Sequence, residues 1–255
     1  MEKKIIAFTL FFSHFVSANV QIVRGESPKA EVVTVGYISL TDEIYDFNGI
    51  VKDLKKYCDD PSVDCIVLHI SSPGGSPGVA EIVAEFILWL KETKPIIGFI
   101  SHMGASAGYT IAAACTHIIA PATAQIGSIG VVMEIPKKNK TIAFTGGEFK
   151  RPHYLADGVI DPEHVAVIKE KIDLGYSMFC DYISKLRNIP SETIRSFEAQ
   201  TFLGVQALEL GLIDQIGTIR DVFDKAVEMV ADKKNSAPTL LRLIVSPTDV
   251  FEFAV

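Results

Sequence analysis

The sequence holds only four cysteines in 255 residues, too few for a disulfide scaffold. Cys58, Cys65, Cys115 and Cys180 form no C-x-x-C pair and have no histidine at zinc spacing, so no metal site is expected. Cys65 and Cys115 lie inside apolar runs and read as core thiols, while a Cys58–Cys65 bridge stays open. An excess of positive charge is missing too. There are 24 Lys and Arg against 31 Asp and Glu, and the formal net charge of -7 excludes a basic surface for nucleic acid. Neither a G-x-G-x-x-G fingerprint nor the Lys-Ser/Thr ending of a P-loop occurs, which removes two common phosphate cradles. The chain also carries no internal repeat and no low-complexity tract.

What is present suits a packed protein. At 48% hydrophobic and 22% charged residues, 255 residues make one large domain or two small ones. Lys3 and Lys4 precede an apolar run from Ile5 to Val16, and Val16-Ser17-Ala18 supplies small residues at a cleavage-site spacing. The run is shorter than the roughly 18 to 20 residues that a spanning helix needs. Residues 1–18 are therefore expected to be a targeting segment, with a cleaved export signal favoured over an uncleaved anchor or a buried strand. Either targeted outcome places the folded domain outside the cytoplasm, periplasmic or on the extracytoplasmic face of a membrane.

Strand and helix patterns alternate after that segment. Glu31 to Leu40, Val63 to Ser71, Pro95 to Ser101 and His117 to Ala120 are apolar or β-branched runs of the kind buried parallel strands show. Ile126 to Met133 reads as a further strand. Ile50 to Tyr57 and Val79 to Leu90 have helical spacing, so the order is βαβαβ and the class is α/β. The second half is more helical, with Pro162 to Leu186 as one long amphipathic helix, then Ser191 to Ile194, Gly204 to Leu210 and Thr218 to Val230. A main domain over 30–231 is followed by a tail, 232–255, which reads as an added strand, an interface arm or ordinary packing.

Two loops carry candidate chemistry. Gly104-Ala105-Ser106-Ala107-Gly108-Tyr109 takes a strand through a tight turn into a helix and sets one hydroxyl at a helix N-terminus, where unpaired N–H groups gather. An attacking serine needs that geometry, although Ser106 alone reads as readily as an N-cap. Ser71-Ser72-Pro73-Gly74-Gly75-Ser76-Pro77-Gly78 also joins a strand to a helix, and its glycines can expose backbone N–H groups to an oxyanion.

The two loops, in this order and spacing, resemble the signal peptide peptidase A family of serine peptidases. Ile126-Gly127-Ser128-Ile129-Gly130-Val131, Gly147-Glu148-Phe149-Lys150 and Thr201-Phe202-Leu203-Gly204 through Gly211-Leu212-Ile213-Asp214 continue the likeness. It spans roughly residues 32–230. The resemblance implies a Clp protease/crotonase-like fold of stacked ββα units with a helical C-terminal part. It also implies a serine–lysine dyad, with Ser106 as nucleophile, Lys150 as general base and Ser128 orienting the lysine amine. The N–H groups of Gly75 and Ala107 would hold the oxyanion. The implied substrates are apolar peptides such as residual signal peptides, cleaved without a cofactor. The implied assembly is a homo-oligomer with sites at subunit interfaces, and membrane association stays open.

Physical chemistry sets conditions on these roles. A lysine with a reference pKa of about 10.4 serves as a base near pH 7 only when its surroundings supply on the order of 4 to 5 kcal/mol. Lys150 follows Phe149 and the apolar patch Ile142-Ala143-Phe144, whereas Lys137, Lys138 and Lys140 crowd a solvated turn. His102, His117 and His153 compete for the base role, and each reads better as a surface or satisfied histidine. Three positions depart from the family pattern: Ala107 replaces a glycine, the segment from Met133 to Gly146 is short, and His117 stands where an acid is usual. A weak or inactive interaction protein of the same fold, and less so a crotonase-like acyl-CoA enzyme, are the alternative readings.

Overall fold

The computed structural model describes residues 19–22, 32–133, 161–234, 240–244 and 250–254. Its centre is a run of parallel strands: β2 (Val32–Thr41), β3 (Cys65–Ser72), β4 (Ile96–Ala105) and β5 (His117–Ala120). Between them lie α1 (Phe47–Asp59), α2 (Pro77–Leu90) and α3 (Ala107–Ala114). β1 (Asn19–Ile22), β9 (Leu240–Ile244) and β10 (Val250–Ala254) extend the sheet beyond β2, and β8 (Gln215–Ile216) extends it beyond β5. β9 lies parallel to β2, so part of the 232–255 tail is built into the sheet.

The apolar runs explain these strands. Cys65, Ile66, Val67, Leu68 and Ile70 of β3 are fully buried because helices cover both faces of the sheet. Ile38, Leu40, Leu68, Ile70 and Ile100 point to the larger core, against α1, α2 and α3. Val33, Val35, Val67, Ile97 and Phe99 point the other way, against α7 (Ile219–Lys234) and its Val222, Ala226 and Val230. α3 is buried on every side, which its run of small residues permits. The four cysteines are free and buried, and burial pushes the Cys65 and Cys115 thiols up to about 12. These are core thiols, as their apolar neighbours suggest.

The helical second half begins, among the described residues, with α4 (Pro162–Arg187), α5 (Ser191–Ser196) and α6 (Gly204–Glu209). Asp161 caps α4 by accepting from the Glu163 N–H at 2.9 Å, and Asn188 ends it in the left-handed conformation at φ 53°. Arg187, in the last turn, donates to the Gly211 carbonyl and to Asp214. Asp214 accepts in turn from the Ile118 N–H at 2.7 Å, so the Gly211–Asp214 motif ties α4 to β5. Tyr109 of α3 is fully buried and donates to the Leu212 carbonyl at 2.8 Å, which anchors the serine helix to the same motif.

Two strands outrun the pattern of the sequence. β7 (Thr201–Leu203) pairs antiparallel with β6 (Gln125–Gly127), and both it and β8 are too short to show a period. The strand expected over Ile126 to Met133 stops at Gly127. Gly127 and Ser128 both take positive φ, 119° and 50°, and turn the chain out of the ladder.

Candidate active site

The candidate site lies where β2, β3, β4 and β6 end, at the carboxyl edge of the sheet, where open α/β folds place their ligands. β4 ends at Ala105 and α3 starts at Ala107, so the whole change of direction falls on Ser106. Its φ of 51° and ψ of -119° fit neither element, and such a conformation at a residue with a Cβ costs about 1–3 kcal/mol. Backbone bonds hold it there. The Ser106 N–H donates to the Gly127 carbonyl at 2.8 Å, and its own carbonyl accepts from the Thr110 N–H at 2.9 Å. Among the described residues its hydroxyl has no hydrogen-bond partner and borders an open groove.

The glycine-rich loop after β3 packs directly against this turn. A Cβ on Gly74 would lie 2.9 Å from the Ser106 Cβ, and one on Gly75 would lie 2.3 Å from the Ile44 carbonyl oxygen. With φ of 134° and 152°, both positions demand glycine for space and for conformation. Ser72, fully buried, accepts from the Gly74 N–H and donates to its carbonyl, each at 3.2 Å. Ile44 clamps the other side through Ile44 N–H to Gly74 carbonyl, 2.8 Å, and Ser76 N–H to Ile44 carbonyl, 2.9 Å. Among the described residues, the Gly75 and Ala107 N–H groups find no acceptor, and both residues line the groove with Ser106.

Ser128 enters from a third element. Pairing of Ala105 with Gly127 sets β6 beside the end of β4 and brings Ser128 alongside the serine turn. The Ser128 N–H is fixed to the Gln200 carbonyl at 2.9 Å, and its carbonyl accepts from Gly130 at 3.0 Å. Thus Ser106, Gly75, Ala107 and Ser128 converge on one end of the sheet. Lys150 lies outside the described residues, as do Lys137, Lys138, Lys140, His153 and residues 1–18.

The groove itself, about 530 Å³, had no counterpart among the expected residues. Val131 and Val132 form one wall and Met178 and Phe179 of α4 form another, with Glu81 and Lys185 on the rim. Val132 is 84% exposed and Met178 61%, so large apolar side chains face solvent beside Ser106. The signal was in the helix pattern. Leu174 and Met178 fall outside the stripe Val165, Ile168, Ile172, Tyr176, Phe179 and Ile183, so the helix pattern marked extra apolar residues on α4 but not the groove that Met178 borders.

The histidines stand apart. His102 is exposed, while His117 reaches Gln215 at 3.3 Å and Asp214 at 4.0 Å, which makes it a satisfied histidine at the far end of the sheet. Among the described residues no group of three His, Cys, Asp or Glu side chains could hold a metal ion, and no helix is long and apolar enough to cross a membrane.

A mostly parallel sheet with helices on both faces, and a serine turn at its carboxyl edge, define the class as the Clp protease/crotonase-like α/β fold. Residues 89–233 match the model of peptidase family S49, and the chain belongs to that family. It is 30% identical to Protease 4 of Haemophilus influenzae over 74% of this chain and 32% of that protein. To the putative signal peptide peptidase SppA of Enterococcus faecium it is also 30% identical, over 71% of this chain and 56% of the relative. Capsid assembly protease C of Escherichia phage lambda is 28% identical over 67% of this chain and 40% of the relative. The chain spans less than two thirds of the length of each of these three.

Proposed function

We propose that the protein is a serine endopeptidase in which Ser106 attacks the scissile carbonyl and Lys150 takes its proton. The observation that carries this reading is the strained Ser106, whose hydroxyl, without a hydrogen-bond partner among the described residues, shares a groove with two N–H groups that find no acceptor among them, those of Gly75 and Ala107. Attack would put negative charge on the substrate oxygen, and two fixed donors would stabilise it without reorganisation. Ser128, held beside the serine turn, would orient the lysine amine. The lysine must be largely uncharged to serve, so its surroundings must be dry when substrate is bound.

The groove favours apolar peptides, because Val131, Val132, Met178 and Phe179 line it together with the nucleophile. The name of the Enterococcus relative supports signal peptides as the source of such segments, and export of the chain through residues 1–18 would bring it to them. The same proposal includes an assembly of several copies, in which a neighbour would supply part of each site. Ala107 does not obstruct the site. It is only 3% exposed, so the methyl that replaces hydrogen adds almost nothing to the groove surface.

The test is cleavage of an apolar peptide together with labelling by a fluorophosphonate. Both are expected in the unaltered protein, with fragment ions locating the adduct on Ser106, and both are lost at Ser106 in S106A and strongly reduced in K150M. Peptide cleavage that survives S106A would sink the proposal. A crotonase-like reading would be favoured instead if acyl-CoA turnover persisted without Ser106.

A further inference from the structure

On the opposite face of the sheet, away from the groove, a second serine meets a base. His69 of β3 stands in register with Ser39 of β2 and Phe99 of β4, so all three project from the same side of the sheet. The His69 Nδ1 lies 3.0 Å from the Ser39 Oγ, and its Nε2 lies 2.7 Å from the Ser101 Oγ. Tyr37 and Phe99 flank the imidazole, each ring centroid 5.8 Å from it, and the Tyr37 phenol sits beside the Ser39 hydroxyl. All of these residues except Phe99 are half-buried, at the margin of the face that α7 covers. The arrangement has the parts of an activated nucleophile: a hydroxyl within hydrogen-bond reach of a base, and a third group fixing that base from its other nitrogen.

We propose that Ser101 is a second nucleophilic serine, with His69 as its base and Ser39 as the group that positions the imidazole, and that it takes an acyl group from an activated ester. With the ring proton on Nδ1 and donated to Ser39, the Nε2 lone pair receives the Ser101 proton. The Ser101 Oγ then forms a bond to the ester carbonyl carbon, and the carbon–oxygen bond to the aryl leaving group breaks. The aryl oxide leaves and takes the proton back from Nε2 as a phenol. The products are acyl-Ser101 and one phenol, with neutral His69 restored. Burial holds the imidazole below its ordinary value, which keeps the base form present at neutral pH.

This site differs from the serine turn in one respect that sets its expected behaviour. Ser101 lies within β4, where the pairing with β3 shifts register between Ile100 and Gly104, rather than at the strand-to-helix turn that gives Ser106 its N–H donors. Acylation without turnover is the consequence: one acyl group per chain, retained.

The experiment uses the full chain carrying S106A and the probe p-nitrophenyl acetate. The expected result is one equivalent of nitrophenol released in a burst and one acetyl group located on Ser101 by fragment ions. Ser71, half-buried on the same face two residues beyond His69, is the internal control and should acylate at least about 100-fold more slowly, the usual worth of a positioned base. Substituting His69→Gln should slow Ser101 acylation by a similar factor. Absence of acetyl on Ser101, or equal modification of Ser101 and Ser71 in the H69-intact protein, overturns the proposal whether or not the H69Q variant folds.

Discussion

Ser106, at the carboxyl edge of the central sheet, and Ser101, on one of its faces, are prepared in opposite ways. Ser106 stands beyond the end of β4, held by backbone hydrogen bonds in a strained turn, with no side-chain partner among the described residues. Ser101 stands inside β4, where the pairing with β3 shifts register, and its hydroxyl is held by a histidine that a second serine holds in turn. At the sheet's edge the backbone runs out of ladder partners and its N–H groups become available to substrate. The comparison teaches that charge-stabilising donors come from strand ends, whereas a base can be supplied anywhere two strands bring the right side chains together.

The largest expected effect is at the edge. S106A should lower peptide cleavage by about 10⁴-fold or more, the usual cost of removing a nucleophile, read as kcat on an apolar peptide. G75A should cost about 10²- to 10³-fold, because the new Cβ meets the Ile44 carbonyl and pushes the loop and its N–H away from the groove. A lowered thermal midpoint should accompany that loss. M178E should raise KM for apolar peptides about 10- to 100-fold while Ser106 still takes a fluorophosphonate, since it alters the groove wall and not the nucleophile.

Effects away from both serines should be smaller. R187M leaves Asp214 without its 2.6 Å partner and frees the Gly211 carbonyl; with Asp214 partly exposed, the loss of stability should be about 1–3 kcal/mol by chemical denaturation. The smallest effect sharpens the inner face. Because burial lowers the His69 pKa from 6.5, its neutral form persists above that value and is lost only on further acidification. The Ser101 acylation rate should therefore stay flat from about pH 8 to 6.5 and fall below it; a steady rise through alkaline pH would point to simple hydroxide chemistry instead.

Much of this was legible in the chain. The apolar runs marked β2 to β5 because strands buried on both faces must be apolar throughout, and Ser106 and Gly75 stood out because each follows such a strand and precedes a helix. The end of β6 was not legible, since the apolar run continues past Gly127 although only Ile129 of it enters the core and Val131, Val132 and Met133 are exposed. The groove was missed because its walls come from residues 131–132 and 178–179, which no local pattern joins. His69 was hidden for a different reason: a lone histidine in an apolar strand has meaning only when register places Ser39 and Ser101 on either side of it.

The pairing of β2 with β9 bears on how the protein is made. Residues 32–36 are synthesised early, and on the edge away from β3 they find their parallel partner only in residues 240–244. Until those emerge from the ribosome, the outer edge of β2 is an open ladder of valines, able to recruit a strand from another chain. Such long-range parallel contacts also close slowly. Nascent chains stalled before residue 240 should therefore aggregate through this edge, and completing the sheet is the step that makes the product safe at high concentration.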